Sequence, residues 1–173
     1  ENEKVLVQPP VYPPFYRVLN NNKRIANNNP LIHDGDKYLM DYDGLKAQLD
    51  DTKIMMLCNP QNPVGRVWTK EELARLGEIC IENDMIIISD EIHSDFTLKG
   101  IKHTPMASIS KELEQRTITL MAPSKTFNIA GLVTSVAIIP NDDIRKIYQK
   151  SIEAMEIDNT NIFGAMGLEV AYN

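Results

Sequence analysis

The sequence is poor in cysteine, in aromatic residues and in long apolar runs. Of its 173 residues only two are cysteines, Cys58 and Cys80, and aromatic residues make up 6%. Two cysteines in apolar surroundings are not the disulfide framework of a small secreted domain, and we expect free, buried thiols in a reducing compartment. No apolar run reaches the roughly 18 residues of a membrane span, and no secretory signal is visible. We therefore expect a cytoplasmic protein without a membrane partner.

Positive charge is also scarce. The chain has 18 Lys and Arg residues against 24 Asp and Glu residues, which gives a net charge of −6. Because the basic residues form no dense cluster, nothing indicates nucleic acid as a partner. Hydrophobic residues make up 43% and charged residues 24% of the chain. These values are typical of a globular protein, and the length suffices for one domain with its own core.

The chain does contain three apolar segments that are each followed by polar residues. Residues 55–66 are MMLCNPQNPVGR, residues 85–95 are MIIISDEIHSD and residues 118–132 are ITLMAPSKTFNIAGL. Continuous apolar strands are typical of a parallel sheet that is covered on both faces. In open α/β sheets, ligands bind at the carboxyl ends of such strands. We therefore expect a binding site where these three segments turn polar.

A helix is predicted between the first two of these strands. Thr69 and Glu72 form a capping box, and apolar residues at helical spacing follow up to about Asn83. The order strand, helix, strand with a short crossover is that of a parallel βαβ unit. We predict an α/β fold, a three-layer α/β/α arrangement around a mainly parallel sheet.

Three polar residues at the predicted strand ends carry distinct chemistry. They are Asn62, Asp90 and Lys125, in this order along the chain. A lysine amine that is held away from water among small and apolar residues is a good nucleophile. Such amines react with carbonyl compounds, including pyridoxal 5′-phosphate (PLP). A lone lysine of this kind is most often a solvated surface residue, so the other two residues carry the interpretation.

This combination resembles the fold-type I PLP enzymes, the class I/II aminotransferase superfamily. The segments DEIHSD and APSKTFNIAGL are more similar to the cystathionine β-lyase (MalY/PatB-type C–S lyase) branch than to typical transaminases. The resemblance extends from about Val5 to the end of the chain. It implies that residues 1–173 are part of a large PLP-binding domain, without an N-terminal segment and a C-terminal small domain. The alternative is a natural mini-domain.

The resemblance implies roles for the three residues at the strand ends. Lys125 would hold the cofactor covalently and later act as a general base at the substrate Cα. Asp90 would face the pyridine nitrogen and keep it protonated. Asn62 would donate to the phenolic oxygen of the ring, from a turn in which Asn62-Pro63 is a candidate cis peptide.

Further cofactor contacts are implied for four residues. Tyr12 would stack on one face of the ring, and Ile92 would pack against the other face. His93 stands where many aminotransferases have a tyrosine that reaches the phenolic oxygen. Ser124 is the candidate phosphate ligand.

This chain departs from many relatives near the cofactor phosphate. They have a serine three residues before the lysine and an arginine eight residues after it, whereas this chain has Ala122 and Val133. The resemblance places the main phosphate cup upstream of Glu1. It also places the arginine that binds the substrate carboxylate, and a tyrosine from the neighbouring subunit, outside this chain. We therefore expect the chain alone to bind PLP weakly and to be inactive.

The resemblance implies a C–S β-lyase that releases a thiol, pyruvate and ammonia from cystathionine or cysteine-like amino acids. The implied assembly is a homodimer of the full-length protein. A PLP-dependent aminotransferase is the alternative enzyme, since it shares the cofactor and the lysine. A non-catalytic regulatory protein on the same scaffold is the alternative from another class.

The sequence also predicts several local features outside the site. Asn-rich segments flank residues 23–26 and indicate a hairpin-like excursion with strands near residues 17–19 and 24–27. Asp43 is a plausible N-cap for a helix over residues 44–49. His33 and His103 are expected in loops, without metal spacing around His33. Further elements are a strand over residues 133–139, a helix over residues 143–155 capped by Asn141 or Asp142, and a close-packed helix over residues 163–172.

Overall fold

The computed structural model describes residues 3–173. Its strands are β1 (Lys4–Val7), β2 (Ile25–Asn28), β3 (Ile32–His33), β4 (Tyr38–Leu39), β5 (Thr52–Cys58), β6 (Ile86–Asp90), β7 (Thr117–Met121) and β8 (Val136–Ile138). Its α-helices are α1 (Pro14–Asn21), α2 (Tyr42–Lys46), α3 (Lys70–Glu82), α4 (Lys111–Arg116), α5 (Asp142–Ala154) and α6 (Ile162–Tyr172). Two short 3₁₀ helices span Met106–Ser108 and Ala130–Leu132.

Six strands form one sheet in the order β2-β1-β5-β6-β7-β8. All neighbours in this sheet are parallel except β7 and β8, which are antiparallel. The strands β3 and β4 form a separate antiparallel pair. The prediction of an α/β fold with a mainly parallel sheet is confirmed.

Apolar side chains cover both faces of the central strands. In β1, Leu6 belongs to one buried cluster while Val5 and Val7 belong to another. Because successive side chains of a strand point to opposite faces, the two clusters lie on opposite sides of the sheet. The first cluster includes residues of α2, α3 and α4, and the second includes Phe15 and Leu19 of α1. The sheet is therefore the middle of three layers.

Helix α3 is fixed by its N-terminal cap and by its buried stripe. The Thr69 hydroxyl accepts from the Glu72 backbone N–H (3.1 Å), and the Glu72 carboxylate accepts from the Thr69 N–H (2.8 Å). The predicted capping box is thus confirmed. The buried residues of the helix are Leu73, Leu76, Gly77, Ile79 and Cys80. This packing sets the crossover from β5 to β6, and so the position of both strand ends.

Replacing Thr69 by alanine tests the cap. The Thr69→Ala variant loses the side-chain acceptor for the Glu72 N–H, and we expect a loss of about 1 kcal/mol in the free energy of unfolding. Chemical denaturation measures it. The matched control Thr69→Ser keeps the hydroxyl and should stay close to the parent chain. Equal stability of the alanine variant would show that the cap contributes nothing.

The prediction of a hairpin near the N-terminus is wrong. Residues 17–19 lie inside α1, where Phe15 and Leu19 face the core one helical turn apart. Proline is tolerated in the first turn of a helix because its missing N–H has no partner there, so Pro14 starts the helix instead of preventing it. The strand predicted over residues 24–27 exists as β2, but it pairs with β1 in parallel.

Two predicted boundaries shift in the structure, and one predicted cap is confirmed. Helix α2 is capped by Asp41, whose carboxylate accepts from the Gly44 N–H (2.9 Å), and not by Asp43. Helix α5 is capped by Asn141, one of the two predicted residues, which accepts from two backbone N–H groups. The strand predicted over residues 133–139 shortens to β8, because a 3₁₀ turn ends just before it and Val133 is left-handed (φ 48°).

Helix α6 exists as predicted, but its close packing is confined to one side. Phe163 is 72% exposed and Val170 is 78% exposed. The two glycines do approach a neighbouring segment: a Cβ at Gly164 would lie 1.8 Å from Thr134 Oγ1, and one at Gly167 would lie 2.6 Å from Leu132 Cδ1. The prediction of a close-packed helix is therefore wrong for the apolar face.

Two further observations concern the described residues. No helix among residues 3–173 is long and apolar enough to cross a membrane. In the same part of the chain, no group of three or more His, Cys, Asp or Glu side chains is arranged to hold a metal ion.

Both cysteines are free and buried, as predicted.

Candidate active site

Three adjacent parallel strands bring the polar residues together at one edge of the sheet. Asn62 lies in the turn after β5, Asp90 ends β6, and Lys125 lies in the turn after β7. The strands β5, β6 and β7 are neighbours in the sheet. The carboxyl ends of parallel strands meet at the same edge, as the sequence pattern requires.

A cavity of about 130 Å³ lies at this edge. It is lined by Tyr12, Cys58, Asn62, Asp90, Ile92, His93 and Lys125. The structure thus brings together every predicted site residue except Ser124. Ser124 lies beside Lys125 in the turn, where its backbone carbonyl accepts from the Ile129 N–H (3.1 Å), but it does not line this cavity.

The carboxyl group of Asp90 is largely withdrawn from water. Its Oδ1 accepts from the backbone N–H of Ile92 (3.2 Å). Burial raises the pKa of Asp90, and the charge of Glu91 adds to this rise. The hydrogen bond from Ile92 and the neighbouring His93 oppose the rise. A buried carboxylate of this kind gains most from a cationic partner in the cavity.

Lys125 lies in a compact turn after β7. The Asn128 N–H donates to the Lys125 carbonyl (3.4 Å) and the Phe127 N–H donates to the carbonyl two residues before Lys125 (3.0 Å). The adjacent Thr126 hydroxyl donates to Asp95 Oδ2 (2.8 Å), which ties this turn to the segment after β6. The prediction that this lysine is held away from water is wrong, since Lys125 is exposed.

The turn that carries Asn62 is held by buried groups. The Cys58 sulfur accepts from the Asn62 backbone N–H (3.3 Å), and burial raises the pKa of this thiol to about 11. The Gln61 side chain donates to the carbonyls of Gln8 (3.0 Å) and Pro10 (2.9 Å). The Asn62-Pro63 peptide is cis, as predicted. These bonds connect the Asn62 turn to the segment that leads to Tyr12.

Tyr12, Ile92 and His93 complete the cavity wall. Tyr12 is 42% exposed, and its ring meets that of Phe15 edge-on with centroids 6.4 Å apart. The His93 ring meets that of Phe96 in a similar way, with centroids 6.1 Å apart. An aromatic ring and a branched aliphatic side chain in one cavity can hold a flat ring between them.

A second, larger cavity of about 400 Å³ adjoins the first. The two cavities share Asn62, His93 and Lys125. The larger one is also lined by Val67 and Phe96, so it is partly apolar. A molecule bound in the first cavity would therefore have space for a reaction partner next to the lysine.

Several residues at the site were missed by the sequence reasoning. Cys58 lines the first cavity, and the largely buried Gln61 lines the second one. Strand alternation was the only signal for Cys58. His103 lies in a loop as predicted, but its side chain is only 10% exposed and pairs with Glu91. A histidine in a polar loop gives no sequence signal for such a partner.

Comparison with known families identifies the chain. The family described as "Aminotransferase class I and II" matches residues 1–162 of this chain. The chain belongs to this family. The cystathionine β-lyase PatB of Bacillus subtilis (strain 168) is 43% identical over 173 residues, which cover 99% of this chain and 45% of that protein. The chain thus spans about half the length of the curated relatives it matches.

Solved structures agree with the observed fold. The PLP-bound putative aminotransferase from Clostridium difficile 630 matches with a TM-score of 0.97 and 48% identity. The match covers 99% of this chain and 45% of the aminotransferase chain. The PLP-bound C–S lyase from Staphylococcus hominis has a TM-score of 0.92 and 36% identity, with 99% and 43% covered. Both names state that the cofactor is bound in those proteins.

The residues of this chain fit the same cofactor. The cavity holds a primary amine for a carbonyl carbon, and a buried carboxylate suited to a protonated ring nitrogen. It also holds an amide for a phenolic oxygen and two side chains that can enclose a flat ring. The phosphate is the exception, because Ser124 lies outside the cavity and positions 122 and 133 are alanine and valine.

Proposed function

We propose that this chain provides the cofactor-binding part of a PLP-dependent C–S β-lyase. The observation that carries the proposal is the single cavity that joins Lys125, Asp90 and Asn62 at the ends of three adjacent strands. The similarity to PatB supports the lyase branch. When bound, PLP supplies an electron sink that stabilises negative charge at the substrate Cα.

Lys125 has two tasks in this proposal. Its Nζ would hold the cofactor through the cofactor's carbonyl carbon until a substrate amine took its place. The freed amine then accepts the proton from the substrate Cα. Its exposure leaves the Nζ free to reach into both cavities that it lines.

The other residues of the cavity hold and orient the ring. The Asp90 carboxylate would hold the proton of the ring nitrogen, and the Asn62 amide would donate to the phenolic oxygen. Tyr12 and Ile92 line the same cavity and would enclose the ring. His93 lies between the two cavities, where it can contact the cofactor or the substrate.

Ser124 is proposed to bind the cofactor phosphate from its position next to Lys125 in the chain. The substrate is an amino acid with sulfur on Cβ, such as cystathionine or another cysteine derivative. Loss of the Cα proton and of the Cβ–S bond gives a thiol and an aminoacrylate, and hydrolysis of the latter gives pyruvate and ammonia.

We also propose that the whole protein is a cytoplasmic homodimer. The two buried free thiols support a reducing compartment. The chain alone is proposed to bind PLP weakly and to be inactive, because Ser124, the candidate phosphate ligand, lies outside its cavity.

An aminotransferase is the second candidate. The 48% identity to a PLP-bound putative aminotransferase favours it. A transaminase would need the same lysine and, in addition, a keto acid as its second substrate. A non-catalytic regulator has no use for a reactive lysine in such a cavity, so the structure gives it little support.

One experiment separates these candidates. A protein that carries this chain is mixed with PLP, and its absorbance is followed before and after L-cystathionine is added without any keto acid. Pyruvate is measured in the same sample. We expect a yellow protein and pyruvate released over many turnovers. Bleaching without pyruvate would indicate transamination, and a colourless protein would contradict the PLP proposal.

A further inference from the structure

A buried carboxyl group next to Asp90 in the chain has no part in the proposed reaction. Glu91 directly follows Asp90, and its side chain is 1% exposed. Burying an ionisable group costs free energy unless hydrogen bonds replace the lost water. The contacts of Glu91 therefore indicate what this buried group does.

Every described contact of the Glu91 carboxyl group is with residues that frame the end of β6. Its Oε1 accepts from the Ser89 hydroxyl (2.8 Å) and from the Met106 backbone N–H (3.0 Å). Its Oε2 pairs with His103 Nε2 (2.8 Å). The carboxyl group thus fastens residues 103–106 to the strand end that carries Asp90.

The same segment is fastened a second time, through the end of β5. The Thr104 carbonyl accepts from the Asn59 side-chain amide (3.0 Å). The Asn59 backbone N–H donates to the Asp90 carbonyl (2.9 Å), and the Glu91 N–H donates to the Leu120 carbonyl (2.9 Å). The peptide group between Asp90 and Glu91 is therefore hydrogen-bonded to the chain after β5 and to β7. Residues 103–106 bond both to Asn59 and to the Glu91 carboxyl group.

We propose that Glu91 and His103 are positioning residues for Asp90. They fix the end of β6 so that the Asp90 carboxylate points into the cofactor cavity and Ile92 stays within reach of it. This inference rests on the proposed function, in which Asp90 faces the ring nitrogen. A shift of about 1 Å at such a group can lower the rate on the order of 100-fold. Holding Asp90 in place is therefore a function that the buried pair of Glu91 and His103 can serve.

The first test uses the protein without cofactor. Amide hydrogen exchange is measured at Ile92, whose N–H donates to Asp90 Oδ1, and at Asn59, whose N–H donates to the Asp90 carbonyl. The variant is His103→Ala, and His103→Gln restores a donor for Glu91. We expect exchange at both amides to rise about 10-fold or more in the alanine variant and to recover in part in the glutamine variant.

The second test measures cofactor binding by spectral titration. We expect His103→Ala and Glu91→Gln each to weaken binding about 10-fold, with a shift in the absorbance of the bound cofactor. In an Asp90→Asn background the same changes should have little further effect, because residues that act through one group are not additive. Glu78→Gln, at an exposed position of α3, is the matched control.

The outcomes are distinguishable. Unchanged exchange at Ile92 and Asn59 in a folded His103→Ala variant overturns the inference, as does a loss of protection spread evenly over α3, which would show a role in stability alone. If no variant of His103 folds, Ser89→Ala replaces it, since it removes one hydrogen bond to Glu91 and keeps the contact between Glu91 and His103. A parent protein that never binds PLP contradicts the proposed function, while the exchange result still decides the positioning.

Discussion

The Lys125→Ala variant of a protein that carries this chain should lose pyruvate formation by about 1,000-fold or more. The reason is that one amine holds the cofactor and accepts the Cα proton, and general base catalysis alone contributes about 100- to 10,000-fold. Treatment of the PLP-loaded parent with borohydride should leave the mass of the reduced cofactor on the peptide that contains Lys125. The variant should show no such mass.

Two further variants make this result specific. Lys125→Arg keeps the positive charge but cannot bond to a carbonyl carbon, so it should be as inactive as the alanine variant. Lys99→Ala removes an exposed lysine that lines neither cavity, and it should keep the parent activity. An active, yellow Lys125→Ala protein would refute the assignment of the lysine.

The Asp90→Asn variant should bind PLP about 10- to 100-fold more weakly than the parent. Hydrogen bonds to charged groups contribute about 1.5–3 kcal/mol, which corresponds to this range of dissociation constants. Asparagine has nearly the same shape as aspartate but cannot keep a ring nitrogen protonated, so pyruvate formation should fall as well. Spectral titration and the pyruvate assay measure the two effects.

The same variant should be more stable than the parent when no cofactor is present. Burial raises the pKa of Asp90, so the folded state binds this proton more tightly than the unfolded state. The free-energy cost of burying the ionised carboxylate is absent below the pKa that Asp90 has in the unfolded chain. This cost grows as the pH rises through the raised pKa of the folded state, and it persists at neutral pH. Asparagine never carries this charge, so thermal unfolding at neutral pH should occur at a higher temperature.

Asp84→Asn is the matched control, and the change in stability expected for it has the opposite sign. A hydrogen bond from Arg116 lowers the pKa of Asp84, so this carboxylate stabilises the fold above its unfolded pKa and the contribution is lost as the pH falls. The Asp84 variant should therefore lose only a little stability at neutral pH, because the Asp84 side chain is 79% exposed and ion pairs in water are weak. If Asp90→Asn were also destabilised there, burial of the carboxylate would not be its main cost.

Much of the sheet could be predicted from the sequence because its central strands are mainly apolar. The capping box at Thr69 marked the start of α3, and the polar residues after β5, β6 and β7 marked the edge where the cavity lies. The N-terminal segment could not be predicted in the same way. Its prolines and asparagines are typical of turns, yet the burial of Phe15 and Leu19 outweighs that preference and stabilises α1.

The sequence by itself determined the fold class and the order of Asn62, Asp90 and Lys125, because apolar periodicity and strand ends are local properties of the chain. Only the tertiary structure decided that Lys125 is exposed and that Ser124 lies outside the cavity. It also decided that Glu91 pairs with His103 across a loop. These last features depend on which segments meet after folding, and the pairing of distant segments leaves no periodic trace in the sequence.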